Sequence, residues 1–395
     1  NGMTRPLVPL FALALGGTPV IIGVVVAVSD FLPIFLSLWV GMLADRSGPR
    51  RLILAGAVLL AVSTAIRALV PDLGTLTLGQ AVLGLSQLFF FLAAQSYVAR
   101  LGTPEDRAHQ FGMWTFAASA GMLAGPILGG SLVDALVRFD WSQVDAFRWT
   151  FAVSGTFAVF AAVLALRLKE VAREKAEPER QLPDRQKGRG LVPQAAHLMD
   201  EPSVQAGAVT SFALALSISI RRSFYPIYLA GLGMSTSTVT ILFSAHPLAS
   251  MLVRPFLGPL TRWLGSGTLV IIGLVLVGVS WAMLPFSSTV LVLFFLASLG
   301  GVGNGIGSTV TMVMVTEGAR PSERGLALGI RQMMNRIGDT VAPPVFGLIA
   351  GAAGMAMSFW TAGAFALVGL LPFALRRPRA ASQDEEKRAP LSEDR

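Results

Sequence analysis

The sequence predicts an all-α polytopic membrane protein built from two parallel six-helix bundles, and three observations carry the prediction. Long apolar segments recur along the chain, basic residues crowd into alternate links between them, and the two halves of the chain match at one ungapped offset of 217 residues.

The segments come first. Most run roughly 20 residues with one charge or none, enough to cross a hydrocarbon core of about 30 Å. They lie approximately at 3–15, 20–43, 52–70, 76–99, 109–133, 149–167, 204–230, 236–260, 268–286, 289–315, 325–350 and 355–375, which makes eleven full spans and a short first one. The chain is 14% charged, well under the quarter or so usual in soluble proteins. It opens Asn1-Gly2-Met3-Thr4-Arg5-Pro6, with no basic region ahead of an apolar stretch, so this is not a signal peptide. It reads as a first helix truncated at its N-terminal end, with the cytoplasmic half missing.

The basic residues give an orientation. The links 44–51, 100–108, 167–203, 261–267 and 317–324 and the tail 376–395 hold 22 of the 31 Lys and Arg. The opposite links hold Arg138 and Arg148 alone. Short basic loops stay in the cytoplasm, so the linker and C-terminus are expected there, in the cytoplasmic (inner) membrane of a bacterium. The net charge of +8 is then a topology signal and not a sign of nucleic-acid binding.

The repeat gives the organisation. At the 217-residue offset Arg5 falls on Arg222, Pro9 on Pro226, Gly16 on Gly233, Gly41 on Gly258 and Gly48 on Gly265. Gly84 falls on Gly301, Pro104 on Pro321, Arg107 on Arg324, Gly112 on Gly329, Pro126 on Pro343 and Gly130 on Gly347. The expected division is a bundle over 1–166, a charged linker over 167–203, a second bundle over 204–376, and a disordered tail over 377–395. Two similar halves suggest a central path with a midplane site reached from each side in turn.

Two local motifs are distinctive. Gly41-Met42-Leu43-Ala44-Asp45-Arg46-Ser47-Gly48-Pro49-Arg50-Arg51 joins the second and third spans. Gly121-Met122-Leu123-Ala124-Gly125-Pro126-Ile127-Leu128-Gly129-Gly130 lies in the fifth. The first resembles the cytoplasmic signature of the major facilitator superfamily, with Pro49 as a variation. The second resembles the G-x-x-x-G-P-x-x-G-G motif of its proton-coupled drug and metabolite antiporters. The resemblance implies a major facilitator-type fold and a gating role for Gly41, Asp45, Arg46, Gly48, Arg50 and Arg51, with Asp45 meeting a helix N-terminus across the halves. It implies the same for Gly121, Gly125, Pro126, Gly129 and Gly130, which would pack and bend the fifth helix. At the position matching Asp45 the second half has Arg262, and where proton-coupled members carry an arginine in the fourth span this chain has Gln80.

Ionisable groups inside spans mark function, because lipid makes them costly. Asp30 in the second span and Arg336 and Asp339 in the eleventh are the candidate proton-coupling set. An Asp30–Arg336 pair across the halves competes with a local Arg336–Asp339 pair. Arg5 and Arg222, at repeat-related places, are candidate ligands for an anionic substrate, since a guanidinium meets a carboxylate with two parallel bonds. Gln87, Gln95, Asn304 and Tyr225 complete the candidate substrate set, with Phe89, Phe90, Phe91, Phe224 and Tyr228 as an aromatic wall. His246 can titrate near neutral pH.

Other functions lack their chemistry. There are no cysteines, and His109, His197 and His246 lack metal-ligand spacing. No phosphate-binding loop, selectivity filter or catalytic cluster is present, and no cofactor is called for. The expectation is a monomeric secondary transporter whose partners are a small-molecule substrate, protons and membrane lipids. Proton-coupled efflux of amphipathic compounds or drugs is the first reading, and transport of an organic anion or other small metabolite the alternative. A non-transporting receptor of the same fold is the remaining rival.

Overall fold

A computed structural model of the chain describes residues 2–99, 107–168, 191–320 and 323–371. The charged part of the linker, the tail, and the Pro104–Pro321 match lie outside the described residues. Within them the chain is helical throughout. The helices are α1 (Leu7–Ala14), α2 (Pro19–Ser47), α3 (Pro49–Leu69), α4 (Leu73–Ala99), α5 (Arg107–Arg138), α6 (Gln143–Leu166) and α7 (Leu191–Asp200). They continue with α8 (Pro202–Ser223), α9 (Tyr225–Gly231), α10 (Thr236–Val253), α11 (Leu257–Leu264), α12 (Ser266–Met283), α13 (Val290–Gly318), α14 (Arg324–Ala353) and α15 (Met355–Val368). Among the described residues, nine helical stretches are long and apolar enough to cross a membrane.

Local chemistry explains the boundaries. Thr18 caps α2 by accepting from the Ile21 amide, and Ser142 caps α6 from the Asp145 amide. Asp72 caps α4. Its carboxylate accepts from the Thr75 hydroxyl and from the Thr75 and Gly74 amides, and those bonds hold it below the usual carboxylate range. Two segments expected as single spans are interrupted, and a third ends in a tight turn. The 204–230 segment breaks at Phe224, just ahead of Pro226, which has no amide to donate. The 236–260 segment passes through a tight turn at Arg254–Phe256 containing Pro255, and the 268–286 segment ends in another, Leu284–Phe286, containing Pro285.

The 217-residue repeat is written into the geometry. Ser235 caps α10 from the Thr238 amide, as Thr18 caps α2 from Ile21. Ser63 donates to the Gly79 carbonyl at 2.9 Å, and Ser280 to the Leu296 carbonyl at 2.8 Å. A Cβ on Gly84 would overlap the Ser29 carbonyl oxygen, and one on Gly301 the His246 carbonyl oxygen. Each pair is related by the same shift. Backbones packed this closely are how helices associate where lipid offers no hydrophobic driving force.

The turns repeat too. Gly48 joins α2 to α3 at φ 80° and ψ 147°, and Gly265 joins α11 to α12 at φ 78° and ψ 153°. This region is essentially closed to residues with a Cβ, at a cost of about 1–3 kcal/mol. Neither site has a neighbour within 4 Å of an added Cβ, so the penalty is conformational alone. Gly48→Ala and Gly265→Ala should each lower the thermal unfolding temperature in detergent. An unchanged midpoint would show that the turns relax.

The halves meet where the 16–18 and 233–235 turns lie. There α2 packs on α14: a Cβ on Gly347 would meet the Pro19 carbonyl at 2.6 Å, and one on Gly23 would overlap the Pro343 carbonyl. Close by, α5 packs on α10: a Cβ on Gly130 would overlap Thr240 and meet the Thr236 carbonyl at 2.7 Å. Toward the other end, Cβ atoms on Gly325 and Gly329 of α14 would meet nothing within 4 Å. The buried apolar core is continuous through both bundles, with Phe11, Phe147 and Phe151 in the first and Phe224, Tyr225, Trp281 and Phe359 in the second.

Candidate functional site

Between the halves lies a cavity of 380 Å³. Its wall is made by the unwound stretch before α1 and by α2, α4, α8, α13 and α14. Five guanidinium groups line it, from Arg5, Arg221, Arg222, Arg331 and Arg336, against two carboxylates, Asp30 and Asp339. Gln87, Asn304, Gln332 and Asn335 add amides, Ser29 and Ser308 add hydroxyls, and Phe91 adds an aromatic face. A smaller adjoining recess is lined by Arg5, Gln80, Gln87, Asp30 and Arg222 among others.

Arg222 sits at the centre of the charge cluster. It reaches Asp339 on α14 at 2.5 Å and Asp30 on α2 at 3.3 Å. Arg336 stands 3.9 Å from Asp30. Of the two expected pairs, the one between Asp30 and Arg336 is present, as the longest contact of a wider network. Arg336 and Asp30 come within ion-pair range across the halves, but the stronger partner of each carboxylate is Arg222. The local Arg336–Asp339 pair is absent, because Arg222 has drawn Asp339 to itself. Arg5 donates to Gln87 at 3.4 Å. Arg331 donates to the Ser308 carbonyl at 2.7 Å and to the Thr311 hydroxyl at 3.4 Å. Among the described residues, no carboxylate lies within 4.0 Å of Arg5, Arg221 or Arg331.

Two expected substrate residues stand elsewhere. Tyr225 is fully buried with its ring on Trp281 at 5.9 Å, because the helix break at Phe224 turns it into the core of the second bundle. Gln95 lies one turn beyond Phe91 on α4, exposed and outside the cavity wall. Of the expected aromatic wall, Phe91 alone lines the cavity; Phe224 is buried, and Tyr228 packs on Phe359 at 5.1 Å.

The gating candidates divide. Gly41, Asp45 and Arg46 fall in the last turns of α2, and their side-chain surroundings lie outside the described residues. Gly48 makes the turn already described. Arg50 donates to the Leu166 carbonyl at 2.8 Å, a cation at the C-terminal end of α6 where the helix dipole favours it. Arg51 is exposed. In α5, Cβ atoms on Gly125 and Gly129 would press on the backbone of residues 2 and 3, and Gly130 faces α10. Gly121 has open space at its own Cβ position, although Gly2 packs against its carbonyl. Pro126 is buried, and α5 continues through it.

Arg331 and Gln332 line the cavity without having been singled out from the sequence, and they extend the set already formed by Arg336 and Asp339. Arg331, Gln332, Asn335, Arg336 and Asp339 follow a spacing of three and four on α14, a polar stripe on one face. That periodicity is readable in the sequence. Arg221 had no such signal, because its neighbour Arg222 carried the repeat match.

A charged cavity between two repeated helix bundles defines a polytopic secondary transporter, which moves a small molecule by alternating access. A sequence model of the Major Facilitator Superfamily matches residues 1–206 and again 207–393, and the chain belongs to that family. It is 21% identical over 368 residues to an uncharacterized MFS-type transporter of Methanocaldococcus jannaschii, covering 93% of this chain and 92% of that one. It is 26% identical over 348 residues to the multidrug resistance protein Stp of Mycobacterium tuberculosis, covering 78% of this chain and 64% of that protein. In fold it resembles a crystallised variant of the nucleoside transporter NupG, at TM-score 0.80 and 15% identity over 95% of this chain and 96% of that one. It also resembles the inward-open xylose transporter XylE from E. coli, at TM-score 0.71 and 17% identity over 96% and 94% of the two chains. The chain is a transporter and not an enzyme.

Proposed function

We propose that the protein moves a small organic anion in company with protons, as a monomer in the bacterial cytoplasmic membrane. One observation carries this reading: five arginines face two aspartates in the cavity, and both aspartates are already held by Arg222. A cationic drug would enter a surplus of like charge. A carboxylate or phosphate would meet Arg331, Arg221 and Arg5, whose donors are free of any carboxylate.

Asp30 and Asp339 are the proton carriers in this scheme. The Arg222–Asp30 pair ties α8 of the second half to α2 of the first. Protonating Asp30 removes its charge and loosens that tie, so the halves rock and the cavity changes sides. With the basic links in the cytoplasm, the end sealed by α2–α14 and α5–α10 is the outer one, and the cavity opens inward.

A second reading, efflux of amphipathic drugs, is favoured by the likeness to Stp and by the Gly121–Gly130 segment of α5. Purified protein in liposomes under an imposed pH gradient separates the two. Radiolabelled succinate or benzoate should move with the gradient, and ethidium should not. Movement of ethidium or tetracycline, with every anion left behind, would overturn the anion reading.

A further inference from the structure

Behind the cavity wall, inside the second bundle, polar atoms are buried among aromatic rings. The Arg221 guanidinium lies over the Phe243 ring at 4.4 Å, and its Nε and Nη1 have no hydrogen-bond partner among the described residues. Three residues along α10, on the same face, is His246. It is 1% exposed, and its ring stacks on Trp281 with centroids 6.2 Å apart and 18° between planes. Its Nε2 also lacks a partner among the described residues, as do the Tyr225 hydroxyl, Trp281 Nε1 and Ser250 Oγ. Buried polar groups are nearly always satisfied. A cluster of unsatisfied ones beside the transport cavity calls for an explanation other than stability.

The position of His246 is tightly set. α13 presses on it: a Cβ on Gly301 would overlap its carbonyl, and one on Gly300 would meet its ring at 3.7 Å. Ionisable groups near it are few. Arg221 on α8 is the charge acting on it, and Tyr225 on α9 borders the same Trp281. α12 and α15 contain no ionisable residue, and the one on α13, Glu317, is over four turns from Gly300 and Gly301. On α5, Asp134 is engaged at the far N-terminal end of α10.

We infer that His246 takes up a proton when an anion occupies Arg221, which makes it a proton site linked to substrate. The inference rests on the anion reading of the cavity. With Arg221 bare, a proton on His246 would add a second uncompensated cation in a medium of low dielectric. An anion held against Arg221 where that residue lines the cavity cancels that field. Protonation of His246 then becomes easier, and by reciprocity the proton tightens the anion. This carrier is separate from Asp30 and Asp339, which face the cavity directly and answer to Arg222.

The test uses the full chain in detergent, with succinate, benzoate and inorganic phosphate as probes. Binding is followed by calorimetry from about pH 5 to pH 8, the range in which histidine titrates, and proton exchange by a pH-indicator dye. Wild type should take up a proton as the anion binds, and its affinity should fall by up to about tenfold per pH unit as pH rises. H246Q should lose the share of this uptake that belongs to His246 and flatten the slope, any remaining uptake being that of Asp30 and Asp339. A histidine that served only as packing would change affinity without flattening the slope. Anion binding without proton uptake, or equal uptake in H246Q, would overturn this inference and leave the anion reading standing. No binding of any anion would overturn both.

Discussion

Replacing Arg222 with glutamine is expected to abolish transport and to cost the folded protein about 3–5 kcal/mol, the usual loss when one partner is taken from a buried ion cluster. Arg222 touches Asp339 at 2.5 Å and Asp30 at 3.3 Å, and the three side chains are 23%, 19% and 18% exposed. Without it, two carboxylates confront each other across the α8–α2–α14 junction. Arg336, at 3.9 Å from Asp30, compensates one of them weakly. Arg5 is committed to Gln87. The companion variant R222Q/D30N/D339N removes all three charges and should regain most of the stability, because no charge is then stranded. It should still fail to transport, since the tie between the halves and both proton carriers are gone. R222K keeps one charge but lacks a planar fork for two carboxylates, so it should fall between. Thermal unfolding in detergent and anion uptake in liposomes read the two quantities separately. An R222Q protein as stable as wild type would mean the cluster is solvated enough to spare the charge. A triple variant that still drove uptake would remove all three residues from coupling.

The fold was legible in the sequence because the features that determine it run along the chain in one dimension. Span length, loop charge and the 217-residue offset each depend on residue identity and spacing, and the matched turns at Gly48 and Gly265 followed directly. The site was legible in part. Arg5, Arg222, Asp30, Asp339, Arg336, Gln87 and Asn304 were picked out as embedded polar groups, and all line one cavity. Which charge pairs with which was not legible. Asp339 has Arg336 one turn away on its own helix, yet Arg222 takes it, a choice set by helix packing that spacing does not encode. Tyr225 failed for a related reason: it lies three residues after a cavity arginine, but the break at Phe224 rotates the chain and sends the ring inward. Asp134 escaped notice altogether. It lies near the end of a span, where an acid looks like ordinary surface, and its partners are backbone amides of the other half.

That residue carries the other large prediction. Loss of the Asp134 carboxylate is expected to shift the protein toward the state open at the end bearing the 16–18 and 233–235 turns. Asp134, in the last turns of α5, accepts from the Thr236 amide at 3.0 Å, the Ser237 amide at 2.8 Å and the Ser237 hydroxyl at 2.5 Å. It therefore caps α10 from across the halves, its charge set against the positive end of that helix dipole. Beside it Gly130 lets α5 approach Thr236 and Thr240 closely. These bonds form only when this end is shut; on opening, water replaces them. Hydrogen bonds to a charged group contribute about 1.5–3 kcal/mol. Allowing for that replacement, a net loss of about 1.4–2.7 kcal/mol would change the ratio of closed to open states on the order of 10- to 100-fold. Asp134→Ala should show the full shift, and Asp134→Asn, which keeps one accepting oxygen, part of it. The chain contains no cysteine, so spin labels can be placed without background at Phe139→Cys and Leu232→Cys, positions 78% and 37% exposed on that end. The label separation should lengthen in D134A and respond less in D134N. An unchanged distance distribution in D134A would mean that the α2–α14 contact at Gly23 and Gly347 holds this end shut without help from α5.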